Sequence, residues 1–274
     1  MKIKFTNKLN FWQLKLFSQS KKIDSFLLFS QAYEQGVIED EKKNLLKKFI
    51  ENLKNKRNIK SQIYQDIFAS CIIEDKFDKT FLEFGATDGL NLSNSYMLES
   101  SLGWEGILFE PSPQWHHSLK KNRKKTKIVT KCIWSETGKT LDFFMSERGE
   151  LSTLNDYVDS DMDSLPGNTN LRKKAGKIIP VETISLNDVI KIYFKNKTPS
   201  YISVDTEGTE YEILKSFDFN YYRPKVFTIE HNFTNLQIKI DNLMKSNKYE
   251  RIFKDLTVFD AWYVSEETLK HLDF

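Results

Sequence analysis

Residues 81–89 read Phe-Leu-Glu-Phe-Gly-Ala-Thr-Asp-Gly, a mostly apolar run that stops at a glycine and reopens into a helix-forming stretch. An apolar run this short reads as a strand buried on both faces, and such strands belong to parallel sheets joined by crossover helices. From Lys79 onward the chain repeats the pattern. Strands are predicted near 80–84, 106–110, 127–133, 201–205, 225–230, 249–253 and 258–264, with helices near 91–101, 113–121, 185–194, 207–217 and 234–246. The expected fold is α/β, a doubly wound, mostly parallel sheet whose last two runs are close enough to pair as an antiparallel hairpin.

The first 75 residues read mainly as helix and connector, which divides the chain into a helical extension over 1–75 and a ligand-binding domain over 76–274. Leu45, Leu46, Phe49, Ile50 and Leu53 share one helical face, the pattern of a helix packed on the main domain. Further upstream, Lys8, Asn10, Gln13 and Lys15 interrupt Phe5, Phe11, Trp12, Leu14, Leu16 and Phe17. Neither a signal-peptide core nor a span of about 20 apolar residues results, and peripheral contact of this basic segment with a membrane is the alternative to packing. Residues 146–177, rich in Ser, Asp, Asn, Gly and Lys, lack periodicity and read as a lid over a site or as a surface insertion. With 41 Lys and Arg against 38 Asp and Glu, a net charge of +3 does not by itself argue for nucleic acid. Cys71 and Cys132 lie far apart, without the pairing of a disulfide framework or thiolate zinc site, so a soluble protein of the reducing cytoplasm is expected.

Gly85 and Gly89 bracket the turn Ala86-Thr87-Asp88, where missing side chains let backbone approach a ligand. Thr87 and Leu90 stand where a dinucleotide fingerprint requires glycine, which weakens a dehydrogenase reading. Glu83, inside the strand end, repels phosphate and attracts an ammonium or sulfonium group. Glu110, closing the next apolar run ahead of Pro111, suits two ribose hydroxyls. A ligand with a cationic amino-acid end and a ribose fits both, and S-adenosylmethionine is such a ligand. Beyond the fourth run stands Asp205, and Glu230 with His231 leave the fifth, a set able to deprotonate a hydroxyl. Asp205 and Glu230 are also candidate ligands for a divalent cation such as Mg or Mn. Glu210 and Glu212 suit a helix N-terminus for electrostatic reasons alone. His116 and His117 read as surface residues, and His271 carries no functional signal. The basic cluster Lys120, Lys121, Arg123, Lys124, Lys125 and Lys127 reads as a solvated face, with RNA or another phosphate ligand as the minority alternative.

In order and spacing these stretches resemble the FkbM family of S-adenosylmethionine-dependent methyltransferases. The resemblance runs over roughly residues 60–264: Ser61-Gln62 with Gln65-Asp66, the run from Phe81 to Gly89, Leu92-Ser93-Asn94 with Leu98-Glu99, Gly103-Trp104-Glu105-Gly106 leading to Glu110-Pro111, Thr183 to Val189, and Val204-Asp205-Thr206-Glu207-Gly208 with Tyr211-Glu212. It implies a class I methyltransferase (Rossmann-like) fold with the cofactor over Gly85 to Gly89 and Glu110 on its ribose. By the same analogy Asp88, Ser93 and Asn94 lie near the methionine end, and Ile133, Trp134 and Ser135 near adenine. It also implies O-methylation, most often of a sugar, glycan or natural product. Thr206 replaces the family's usual apolar residue and is expected to point into sheet packing. The alternatives are an RNA methyltransferase and a non-catalytic scaffold that keeps the fold. Oligomeric state has no signature in these motifs.

Overall fold

The computed structural model describes residues 29–30, 32–33 and 40–272, so the reading of Phe5 to Phe17 lies outside the described residues. Helix α1 (Asp40–Asn55) buries Leu45, Leu46, Phe49 and Ile50 along one stripe, as their spacing predicts. Helix α2 (Gln65–Ile72) follows, and Phe68 on it stacks on Trp262 at 4.7 Å between ring centroids. Phe49 meets the same indole at 5.9 Å, so the two helices and the C-terminal strands share one apolar core. Among the described residues no helix is long and apolar enough to cross a membrane.

Strands β1 (Thr80–Phe84), β2 (Glu105–Phe109) and β3 (Lys127–Val129) alternate with helices α3 (Tyr96–Leu102) and α4 (Pro113–Asn122). The strand expected over 127–133 ends at Val129. Cys132–Trp134 is a separate strand, β4, and opens a second sheet. That sheet continues with β5 (Thr140–Ser146), β6 (Thr153–Leu154), helix α5 (Pro166–Lys174) and β7 (Gly176–Ser185), in the order β4-β7-β5-β6. Residues 146–177 are therefore an ordered insertion. Helix α6 (Leu186–Tyr193), capped by the Ser185 hydroxyl accepting from the Asp188 N–H, returns the chain to β8 (Tyr201–Val204). Then come α7 (Glu210–Lys215), β9 (Val226–Glu230), α8 (Leu236–Ser246), β10 (Tyr249–Ile252), β11 (Asp260–Ser265) and α9 (Glu266–Leu269).

The large sheet runs β10-β11-β9-β8-β1-β2-β3. β3, β2, β1, β8 and β9 pair in parallel, whereas β11 pairs antiparallel with both β9 and β10. The chain leaves β1 for β2 on one side and later fills the other side with β8. In a sheet of this kind ligands bind beyond the carboxyl ends of the strands where that direction reverses. Here those ends are Gly85, after β1, and Asp205, after β8.

Candidate active site

The turn after β1 is pressed against the end of β8. Gly85 has φ +72°, and a Cβ built there would collide with the Asp205 carbonyl oxygen, so only glycine fits. The Gly85 and Ala86 N–H groups both donate to the Phe109 carbonyl, at 3.1 Å, which locks the turn to β2. Asp88 closes it from within: its Oδ1 accepts from the Leu90 and Asn91 N–H groups. Gly89, at φ +73°, leaves room that Leu119 and Arg123 occupy.

Glu110, buried at the end of β2, accepts from the Thr87 N–H through Oε2 and the Ser112 N–H through Oε1, both at 2.8 Å. Each oxygen keeps a second lone pair. Burial lifts its carboxyl to about 7, and the two N–H groups oppose that shift. His116, expected on the surface, is half-buried with Nε2 2.9 Å from the Glu110 carbonyl oxygen.

Glu83 has a different role from the one its sequence position suggests. Its carboxylate accepts from the Asn94 N–H at 2.7 Å and from the hydroxyls of Ser93 and Ser95. The Arg123 guanidinium lies 3.8 Å away and also bonds Glu99, Ser93, Ser95 and the Gly89 carbonyl. An acid enclosed by an arginine and three donors braces the turn. Ser93 and Asn94 belong to this brace, and Asn94 also donates to the Ser203 hydroxyl at 3.0 Å. Arg123 is correspondingly withdrawn from the basic cluster, of which Lys120, Lys121, Lys124, Lys125 and Lys127 remain exposed.

On the other side of the crevice Asp205, Glu207 and Glu230 converge, with one carboxylate oxygen from each lying within 4.8 Å of the others. Burial, with Asp260 and Glu210 nearby, lifts Asp205 to about 8. Burial and Asp205 lift Glu230 well above the ordinary carboxylate range. Glu230 Oε2 is buried without a hydrogen-bond partner. Glu207 sits at φ +58°, and Asn232 and Phe233 after β9 are also left-handed, at +46° and +57°. Such backbone persists where surrounding structure enforces it, and it clusters at functional sites.

The enforcing contacts come from the insertion. Arg172, fully buried on α5, donates to Glu207 at 2.7 Å, to Asp161 at 2.8 Å and to the Leu151 and Val158 carbonyls. Ser160 donates to the Glu207 carbonyl and Thr153 to that of Thr206. Glu210 stitches the loop from beneath, accepting from the N–H groups of Thr206 and Gly208. Thr206 does not enter the sheet packing. Its hydroxyl donates to Glu210 and accepts from Thr209, which turns it toward the loop.

His231 is held at the site through Nδ1, with Nε2 facing a guanidinium. Nδ1 accepts from the Phe233 N–H at 3.1 Å, and Nε2 lies 3.3 Å from Arg251. Burial first, and Arg251 second, lower its pKa to about 4, which favours the neutral ring. Ile133 and Trp134 lie on β4 and Ser135 just beyond it, so they belong to the second sheet and not to the exit of β3; Trp134 meets Tyr157 edge to face at 5.8 Å. Pro111 follows Glu110 directly, half-buried at the rim. Arg123, Asp161, Arg172 and Asp260 were missed as site residues. Asp260 accepts from Gln65 at 2.8 Å, and burial lifts it to about 7. Gln65 and Asp260 are distant in sequence, so only the fold reveals the pair.

A mostly parallel α/β sheet with an acidic crevice at its reversal point defines a class of ligand-binding enzyme fold. The methyltransferase FkbM domain matches residues 83–251, and the chain belongs to that family of methyltransferases, which use S-adenosylmethionine. No curated protein matches the chain. Among solved structures it is similar to precorrin-6y C5,15-methyltransferase from Geobacter metallireducens GS-15, at 12% identity and TM-score 0.38, over 72% of this chain and 77% of that one.

Proposed function

We propose that the protein moves the methyl group of S-adenosylmethionine to a hydroxyl oxygen of a sugar or glycan, on a sheet of the class I methyltransferase (Rossmann-like) type. The observation that carries this reading is Asp205, whose backbone is held against the glycine turn where the donor would lie and whose carboxylate converges with those of Glu207 and Glu230. The residues present fit the donor's ribose end: Glu110 has free lone pairs at the end of β2, beside a turn without obstructing side chains. S-adenosylmethionine supplies an electrophilic methyl on sulfur. With the donor bound there, Asp205 would take the proton of the acceptor's hydroxyl. Holding oxygen and methyl about 3 Å apart and in line is the larger part of the task.

An acceptor rich in hydroxyls suits this rim. Asp205 and Glu230, with no lysine or arginine partner among the described residues, leave carboxyl oxygens for sugar hydroxyls and offer no cation to the phosphates of RNA. Incubation with methyl-labelled S-adenosylmethionine and panels of glycans and RNA tests the reading. Label in glycan hydroxyls, lost in Asp205→Asn while donor binding survives, is the expected result. Label in RNA bases contradicts it, and donor binding with no transfer to any acceptor points to a scaffold that keeps the fold.

A further inference from the structure

The acid cluster on the β8–β9 side is over-supplied with negative charge in a patterned way. Arg172 compensates Glu207 and Asp161. Glu210 is satisfied by backbone N–H groups, and Asp260 by Gln65 and Trp262. Arg251 is committed to Asp241. Among the described residues no lysine or arginine pairs with Asp205 or Glu230. An uncompensated carboxylate pair at the floor of a crevice is a large unfavourable term unless a proton or a cation sits with it.

Two independent features favour a cation. Glu230, about nine-tenths buried, directs Oε2 at no donor, although buried carboxylate oxygens are nearly always bonded. The second is the convergence itself: one carboxylate oxygen from each of Asp205, Glu207 and Glu230 lies within 4.8 Å of the others, whereas the small cavity beside Glu230 is not lined by Asp205 or Glu207. We infer that Asp205, Glu207 and Glu230 bind one divalent cation through a carboxylate oxygen each. All-oxygen donors select a hard ion, Mg²⁺ or Mn²⁺, which keeps several water positions free for exchange. Arg172 then has a second purpose. By holding Glu207 Oε2 at 2.7 Å it fixes the rotamer of one ligand, as outer partners do in metal sites.

The inference rests on the methyl-transfer reading for its purpose: a cation there orients and acidifies the acceptor hydroxyl, and Asp205 keeps its second oxygen for the proton. The binding itself is measurable without an acceptor. Full-length protein stripped with EDTA is titrated with Mn²⁺, with free ion followed by electron paramagnetic resonance, and binding of S-adenosylmethionine is measured separately by calorimetry. The expected result is one Mn²⁺ per chain, displaced by excess Mg²⁺, with affinity at least about tenfold weaker in both Glu230→Gln and Asp205→Asn. Both variants lower the local repulsion and are expected to fold, which thermal unfolding checks. Absence of Mn²⁺ binding in a chain that still binds S-adenosylmethionine overturns the cation site and leaves the methyl-transfer reading standing. Unchanged Mn²⁺ affinity in both variants also overturns it. Mn²⁺ bound with the expected sensitivity by a chain that ignores S-adenosylmethionine sustains the site and removes its proposed purpose.

Discussion

The two rims of the crevice treat their acids in opposite ways. On the β1–β2 side Glu83 is enclosed by Arg123 and three donors, and Glu110 is tied to the Thr87 and Ser112 N–H groups. On the β8–β9 side Asp205 and Glu230 converge with Glu207 and have no lysine or arginine partner among the described residues, and one Glu230 oxygen has no hydrogen-bond partner. Satisfied acids make a rigid framework, whereas frustrated acids store free energy that a proton, a cation or a substrate can release. On the proposed function the contrast divides the work: the first rim would shape the donor site, and the second would supply the chemistry.

The most severe way to break the second rim is to remove its base. Asp205→Ala is expected to lower kcat by about 10²- to 10⁴-fold with donor affinity unchanged, measured by labelled methyl transfer and calorimetry. Next is the arginine of each rim. Arg172→Met leaves Asp161 and Glu207 buried without their cation and is expected to destabilise the fold by about 3 to 5 kcal/mol in denaturant titration. Arg123→Met does the same to Glu83 and Glu99, with the difference that its surviving folded fraction binds donor poorly because the turn is no longer braced.

Acidity offers a gentler test. Asp205 at about 8, Asp260 at about 7 and Glu110 at about 7 all lie above their ordinary values of 3.8, 3.8 and 4.5. The folded chain therefore binds more protons than the unfolded one, and stability present at low pH is lost as pH rises through 7 and 8. His231, at about 4 against 6.5, works the other way only below pH 6.5. In EDTA the Tm at pH 8.5 is expected to be lower than at pH 6.5 by roughly 5 °C, and Glu110→Gln is expected to remove part of that fall below pH 7.5.

The sequence made one rim far more legible than the other. Strands β1, β8 and β9 are buried nearly throughout and β2 over Ile107 to Phe109, so each writes an apolar run that needs no knowledge of its neighbours. The second sheet writes nothing so plain. β7 exposes Gly176 to Ile178 and carries Pro180, and β5 alternates with several partly exposed positions, so both read as loop. Arg123 and Arg172 each sit in a run of lysines that looks solvated, although both side chains are fully buried. Asp205 and Glu230 were legible from their places at strand ends, whereas Glu207, three residues beyond β8, was not singled out. The frustration of these acids was not legible, because it depends on how few donors the insertion and the hairpin bring to them.

The division of labour between the rims is tested most directly by donor affinity, measured by calorimetry with S-adenosylmethionine on the parent chain, Glu110→Gln and Asp205→Asn. The account predicts that the parent binds, that Glu110→Gln weakens binding by about tenfold through a lost charge-assisted hydrogen bond, and that Asp205→Asn stays within about twofold of the parent. No binding by the parent chain, or Asp205→Asn as damaging as Glu110→Gln, would contradict it.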